Sequence, residues 1–173
     1  MDLLKLFDFS SKEKENLGTL FAKLSALLRD MPDDEVRYVT GLSGLLGKVA
    51  HSDLEFSEDE LEKIQQIMQQ SLGLATRKIA VVLDILRDLT VDLAGIEDHH
   101  YTRLVNACVN KDEKKAILES LFCVAAADRS ITGEEEKTIR SIATGLALSN
   151  NDFIAAKTKY QEHLSVLQGK GRH

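Results

Sequence analysis

Apolar residues recur along this chain at intervals of three and four, the spacing of one helix face, and polar start and stop signals cut the pattern into segments. Leu17, Leu20, Phe21, Leu24, Leu27 and Leu28 form the first stripe, behind a capping box expected at Ser10-Ser11-Lys12-Glu13. Met31-Pro32 ends that helix, because a residue ahead of proline avoids the helical region, and Pro32 with Asp33, Asp34 and Glu35 suits a new start. The second helix is predicted to reach about Ala50. A capping box at Ser57-Glu58-Asp59-Glu60 opens a third, striped by Leu61, Ile64, Ile67, Met68 and Leu72, which Gly73 should stop. Thr76 is expected to cap a fourth, carrying Ile79, Val82, Leu83, Leu86 and Leu89. A shorter helix follows from Asp98 through Val105 and Cys108, closed by Asn110. Asp112 should then cap a long helix with Ile117, Leu118, Leu121, Phe122, Val124 and Ala125 inside, ending at Asp128. Thr132-Gly133-Glu134-Glu135 is a third capping box, ahead of Ile139, Ile142 and Leu146. Ser149 to Asp152 cap a last helix, and residues 168–173 read as a frayed tail.

Composition strengthens the helical reading. One proline and 5% aromatic residues, with Leu, Ala, Lys and Glu abundant, leave little for strands, which draw on β-branched and aromatic side chains. With 43% apolar and 29% charged residues in 173, the expectation is a soluble all-α globule of about seven or eight helices. The formal charge of −6 repels phosphate backbones and anionic bilayers, so neither nucleic acid nor a membrane surface is an expected partner. No run approaches the roughly 20 apolar residues of a membrane helix, and the opening MDLLKLFDFS suits neither a secretory signal nor an anchor. Cys108 and Cys123 lack CxxC spacing and fall on apolar helix sides, which reads as reduced, buried thiols in a cytoplasmic protein.

The segments KVAHSDLEFSEDELEKI (48–64) and CVAAADRSITGEEEKTI (123–139) match when the chain slides by seventy-five residues. Val49 then pairs with Val124, Ala50 with Ala125, Asp53 with Asp128, Ser57 with Thr132, Glu60 with Glu135 and Ile64 with Ile139. Helical periodicity alone imitates the apolar matches, but not the Asp, the cap and the Glu at fixed offsets. The chain therefore reads as an internal duplication, repeat one over about 35–90 and repeat two over about 97–165, with a helix–acidic turn–helix in each. An N-terminal helix within 1–30 precedes them in a single domain spanning 1–173. Leu46, Val49, Ile64, Leu121, Val124 and Ile139 are predicted to share one core about a pseudo-twofold axis.

The stretch SLFCVAAADRSITGEEEKTIRSIATGLALSNNDFIAAKTKY, residues 120–160, resembles the tellurite-resistance TerB-like family, marked by an Ala-rich helix, Ala-Asp-Gly, a small turn, Glu and a striped helix. LSNNDFIAAK and YTRLVNACVNKDEKK resemble an uncharacterised bacterial subgroup of it, and VAHSDLEFSEDELEKI looks like a worn first copy. The resemblance implies a compact all-α bundle with internal symmetry, a link to stress and tellurite resistance, and acidic residues suggested to bind metal. The family's glycine after the aspartate is Leu54 in the first copy and Arg129 in the second, a departure that matters if the chain needs a positive φ there.

Asp53, Glu60, Asp128 and Glu135 are the candidate site residues. Hard divalent cations take several oxygen ligands, which carboxylates converging from two turns could supply, while the ordinary role of such acids is to cap helices and complement the dipole. An EF-hand is excluded, because Ile64 and Ile139 fall where its bidentate Glu belongs. Glu97, Asp98, His99 and His100 suggest zinc or a general base, but neighbouring helical residues diverge by about 100°, and the histidines read as surface or half-buried. His51 is a weaker candidate. No GxSxG, GxxxxGK[ST] or GxGxxG motif is present, and an enzyme is not expected. The leading expectation is an acidic protein-interaction module with a basic partner and no resident cofactor; the alternative is a divalent-cation binder or sensor. A homo-oligomer is compatible with either.

Overall fold

The computed structural model describes residues 11–50, 57–89, 92 and 95–164, with side chains from residue 15 onward. Among them are eight α-helices: α1 (Ser11–Leu27), α2 (Asp33–Ala50), α3 (Glu58–Leu72), α4 (Thr76–Asp88), α5 (Asp98–Asn106), α6 (Lys111–Ala125), α7 (Gly133–Gly145) and α8 (Asn150–Thr158). A 3₁₀ turn, Gln161–His163, follows, and the extended backbone pairing among the described residues is an isolated parallel bridge between Ile131 and Leu164. The fold is all-α, as the composition requires.

Start signals place most helices, with instructive exceptions. Ser57, Thr132 and Ser149 close capping boxes with Glu60, Glu135 and Asp152. Thr76 does not cap α4: the N-cap is Ala75, which makes no side-chain bond, and Thr76 is the first helical residue. Asn110 does not close α5, which ends at Asn106, but caps α6, its side chain accepting from the amides of Asp112 and Glu113. Asn110 displaces Asp112 because its amide oxygen reaches both free N–H groups from an extended backbone. α6 stops at Ala125, three residues before Asp128. The expected box at Ser10 and the tail at 168–173 lie outside the described residues.

α2 is central and packs on α1, α3, α4, α5, α6 and α7. Its closest neighbour is α5, which a missing side chain admits: a Cβ on Gly44 would fall inside the Tyr101 ring. Each repeat's first helix packs on the other's second, α2 on α7 and α6 on α3. That exchange merges the halves, so Leu46, Val49, Ile64, Leu121, Val124 and Ile139 are all fully buried in one apolar cluster. No described helix is long and apolar enough to cross a membrane.

Candidate functional site

The crossing of the two repeats brings two helix starts, those of α3 and α7, near enough for their acids to act on each other. Ser57 and Thr132 are extended, at φ −72° and −74°, which aims each hydroxyl into the first turn of its helix. The Glu60 amide donates to Ser57 Oγ at 3.2 Å, and the Ser57 amide donates to Glu60 Oε2 at 2.8 Å. Thr132 and Glu135 repeat both bonds, at 3.2 and 2.6 Å. A capping glutamate ordinarily stands in water. These two do not: Glu60 is 4% and Glu135 3% exposed.

Burial together with neighbouring charge gives this pair its chemistry. Glu135 is pushed up to about 7, first by loss of solvent, then by the negative charges of Asp128 and Glu60, against the Thr132 hydrogen bonds that favour its anion. Glu60 of the first repeat is thus electrostatically in contact with Glu135 of the second. Asp152 provides the control within the same chain. It closes the same kind of box while half-buried, where hydrogen bonds from Ser149 and then the Lys115 ammonium at 3.3 Å hold its carboxyl down at about 2. One local motif therefore yields opposite acidities, and depth of burial together with the sign of the neighbouring charges decides which.

Of the sequence candidates, Glu60 and Glu135 come together, and Asp128 stands near enough to act on Glu135 but is itself exposed. Asp53 and His51 lie outside the described residues. Asp128 is engaged in the backbone of its own turn, where its Oδ1 accepts the Ser130 amide at 3.0 Å. Within that turn Arg129 is exposed at φ +74°, the left-handed backbone for which glycine is suited. After it, Ile131 donates its amide to the His163 carbonyl at 2.6 Å. The exposed acids Glu58, Asp59 and Glu134 surround the two helix starts. Glu58 and Asp59 also line, with Glu62, Asp84 and Arg87, a groove of about 340 Å³ between α3 and α4.

Other sequence readings change. His100 is buried at 2% exposure, not on the surface, and its ring lies 3.8 Å from that of exposed His99, which pairs with Glu97 at 2.9 Å. Cys108 is exposed past the end of α5, and Cys123 is half-buried; both are free thiols. Partial burial and Asp34 push the Cys108 thiol up, the wrong direction for a nucleophile. Among the described residues, no group of three or more His, Cys, Asp or Glu side chains is arranged to hold a metal ion. The burial of the pair has a signal in the sequence, since Glu60, Ile64 and Ile67, like Glu135, Ile139 and Ile142, run at i, i+4, i+7 on one apolar face.

The chain is an all-α helical domain with an acidic pair between the starts of α3 and α7. The family model of tellurite resistance protein TerB matches residues 40–158, and the chain belongs to that family. No curated protein and no solved structure matches it.

Proposed function

We propose that this TerB-family chain is a non-catalytic module that takes up a hydrated divalent cation, of the Mg²⁺ or Mn²⁺ kind, between Glu60 and Glu135. One observation carries the reading: two carboxyl groups, one from each repeat, are buried close enough to repel. A cation between them relieves that repulsion where a proton otherwise must. The donor chemistry fits, since carboxylate oxygens are hard ligands. Cap bonds engage Oε2 of each glutamate, so the pair suits an ion that keeps several waters better than Ca²⁺, which takes six to eight oxygens. The bound ion would supply positive charge to a junction that otherwise holds two acids, and so draw the repeats together. The test is a Mn²⁺ titration followed by electron paramagnetic resonance on the wild type, Glu60→Gln and Glu135→Gln. Uptake by the wild type that either substitution abolishes supports the reading; no uptake, or equal uptake by all three, overturns it.

A second reading is favoured by the exposed acids at the same helix starts. Glu58, Asp59 and Glu62, beside the α3–α4 groove, offer a basic protein partner a surface that the buried pair cannot. Charge reversal at Glu58, Asp59 and Glu62 should then abolish partner recovery while leaving Mn²⁺ uptake intact. The cytoplasm, where Mg²⁺ is plentiful, is the compartment that suits both readings. A part in tellurite resistance, which the family's name attaches to its members, is tested by tellurite survival of a deletion strain carrying wild type or Glu135→Gln.

A further inference from the structure

The second acidic turn is tied to the piece of chain that follows α8. After α8, Tyr160 lies against Phe122 of α6, ring centroids 5.9 Å apart and nearly parallel, and its hydroxyl donates to the Glu119 carbonyl at 3.4 Å. From that anchor Gln161–His163 make one 3₁₀ turn, with the His163 amide bonded to the Tyr160 carbonyl at 3.0 Å. The backbone then runs parallel to the turn at Ile131 and Leu164. Leu164 is 7% and Ile131 1% exposed. The Ile131 amide donates to the His163 carbonyl at 2.6 Å, one residue before the Thr132 amide that holds Glu135 Oε2. The same turn carries Arg129 in the left-handed region, which a non-glycine residue leaves readily unless its surroundings hold it there.

We propose that Gln161–Leu164 is a latch on the second acidic turn: seated, it holds Thr132 and Glu135 in the cation-ready arrangement, and released, it lets the turn open and the cation leave. The proposal rests on the cation reading above. Among the described residues it meets the turn through the Ile131–His163 backbone bond and the buried Leu164, at the end of the chain's last described element, where local opening is least costly. Anything that engages the 161–164 segment would then alter the acidic centre without touching Glu60 or Glu135. Residues that position ligands from outside the immediate shell typically change metal affinity by about 10- to 100-fold.

The experiment uses the full chain. Amide hydrogen exchange and Mn²⁺ affinity are measured for wild type, Leu164→Ser and Tyr160→Leu, the second variant loosening the anchor rather than the bridge. The expected result is faster exchange at Ile131 and Thr132 in both variants, unchanged protection in α2 and α5, and Mn²⁺ affinity weakened by about tenfold. Faster exchange at those amides with unchanged Mn²⁺ affinity overturns the latch and leaves the cation reading standing. Unchanged exchange at Ile131 in both variants overturns it as well. Absence of Mn²⁺ uptake by the wild type removes the cation reading first, and the latch with it.

Discussion

The two repeats build the same helix and finish it differently. α3 and α7 both begin with a hydroxyl capping box, both bury the box's glutamate, and both are followed by a residue with left-handed backbone. At the end of α3 that residue is Gly73, φ +60°, where no Cβ clash enters. At the end of α7 it is Ala147, φ +58°, in a Schellman arrangement: the Leu148 amide reaches the Ala143 carbonyl and the Ala147 amide reaches that of Thr144, each at 3.0 Å. Asn106 adds a side-chain bond to the Gly145 carbonyl at 2.9 Å. The second repeat thus holds Arg129 and Ala147 in conformations that disfavour a side chain, and the first of these lies in the turn that the 161–164 segment braces. Shared features are those the junction requires; the differences are local and are held by contacts from elsewhere in the second repeat.

The comparison breaks most severely in the core. Ile64→Ala and Ile139→Ala should each cost about 2 to 5 kcal/mol, by similar amounts because both side chains fill the same cluster. Both variants should still melt in one calorimetric transition. Two transitions would mean that the halves do not share a core.

The next largest effect concerns pH. Glu135 titrates at about 7 in the native state against an ordinary value of 4.5, so the folded protein binds more protons between those values and its stability falls as pH rises through that window. The contribution has an upper limit of about 3 kcal/mol. Glu135→Gln keeps an oxygen for the Thr132 amide while discarding the charge. It should raise the melting temperature at pH 7.5 and flatten the slope between pH 5 and 7. An unchanged slope in chemical denaturation across that range would place the raised acidity elsewhere.

These two predictions fall on the parts of the molecule that sequence conveys most and least. Core membership follows from period 3.6 and the offset of seventy-five residues, because helix pattern and burial have the same cause. Cap identity follows at Ser57, Thr132 and Ser149, where hydroxyl and acid stand three apart, and fails at Thr76 and Asn110, where neighbouring residues compete for one start. The burial of Glu60 and Glu135 is signalled by their place on each helix's apolar stripe, but their approach to each other is a property of helix packing, which neither local segment contains by itself. Cys108 and His100 escape local reading for the same reason: the end of α5 and its packing on α2 fix which side is covered.

Smaller effects sharpen the comparison at the left-handed residues. Gly73→Ala should cost about 1 kcal/mol from backbone strain alone, since nothing lies near the added methyl. Ala147→Gly and Arg129→Gly should move the other way, each by up to about 1 kcal/mol, read as shifts in urea midpoint at constant slope. Loss of stability in Arg129→Gly would mean that its side-chain contacts outweigh its backbone strain.

The central claim, that one buried acid pair joins the repeats and awaits a cation, is tested most directly by following the Glu135 side-chain carboxyl carbon by ¹³C NMR across pH. The expected midpoint is near 7 in buffer free of divalent ions, with a clear fall when Mg²⁺ is added to saturation. A midpoint in the ordinary glutamate range, unmoved by the ion, would contradict it.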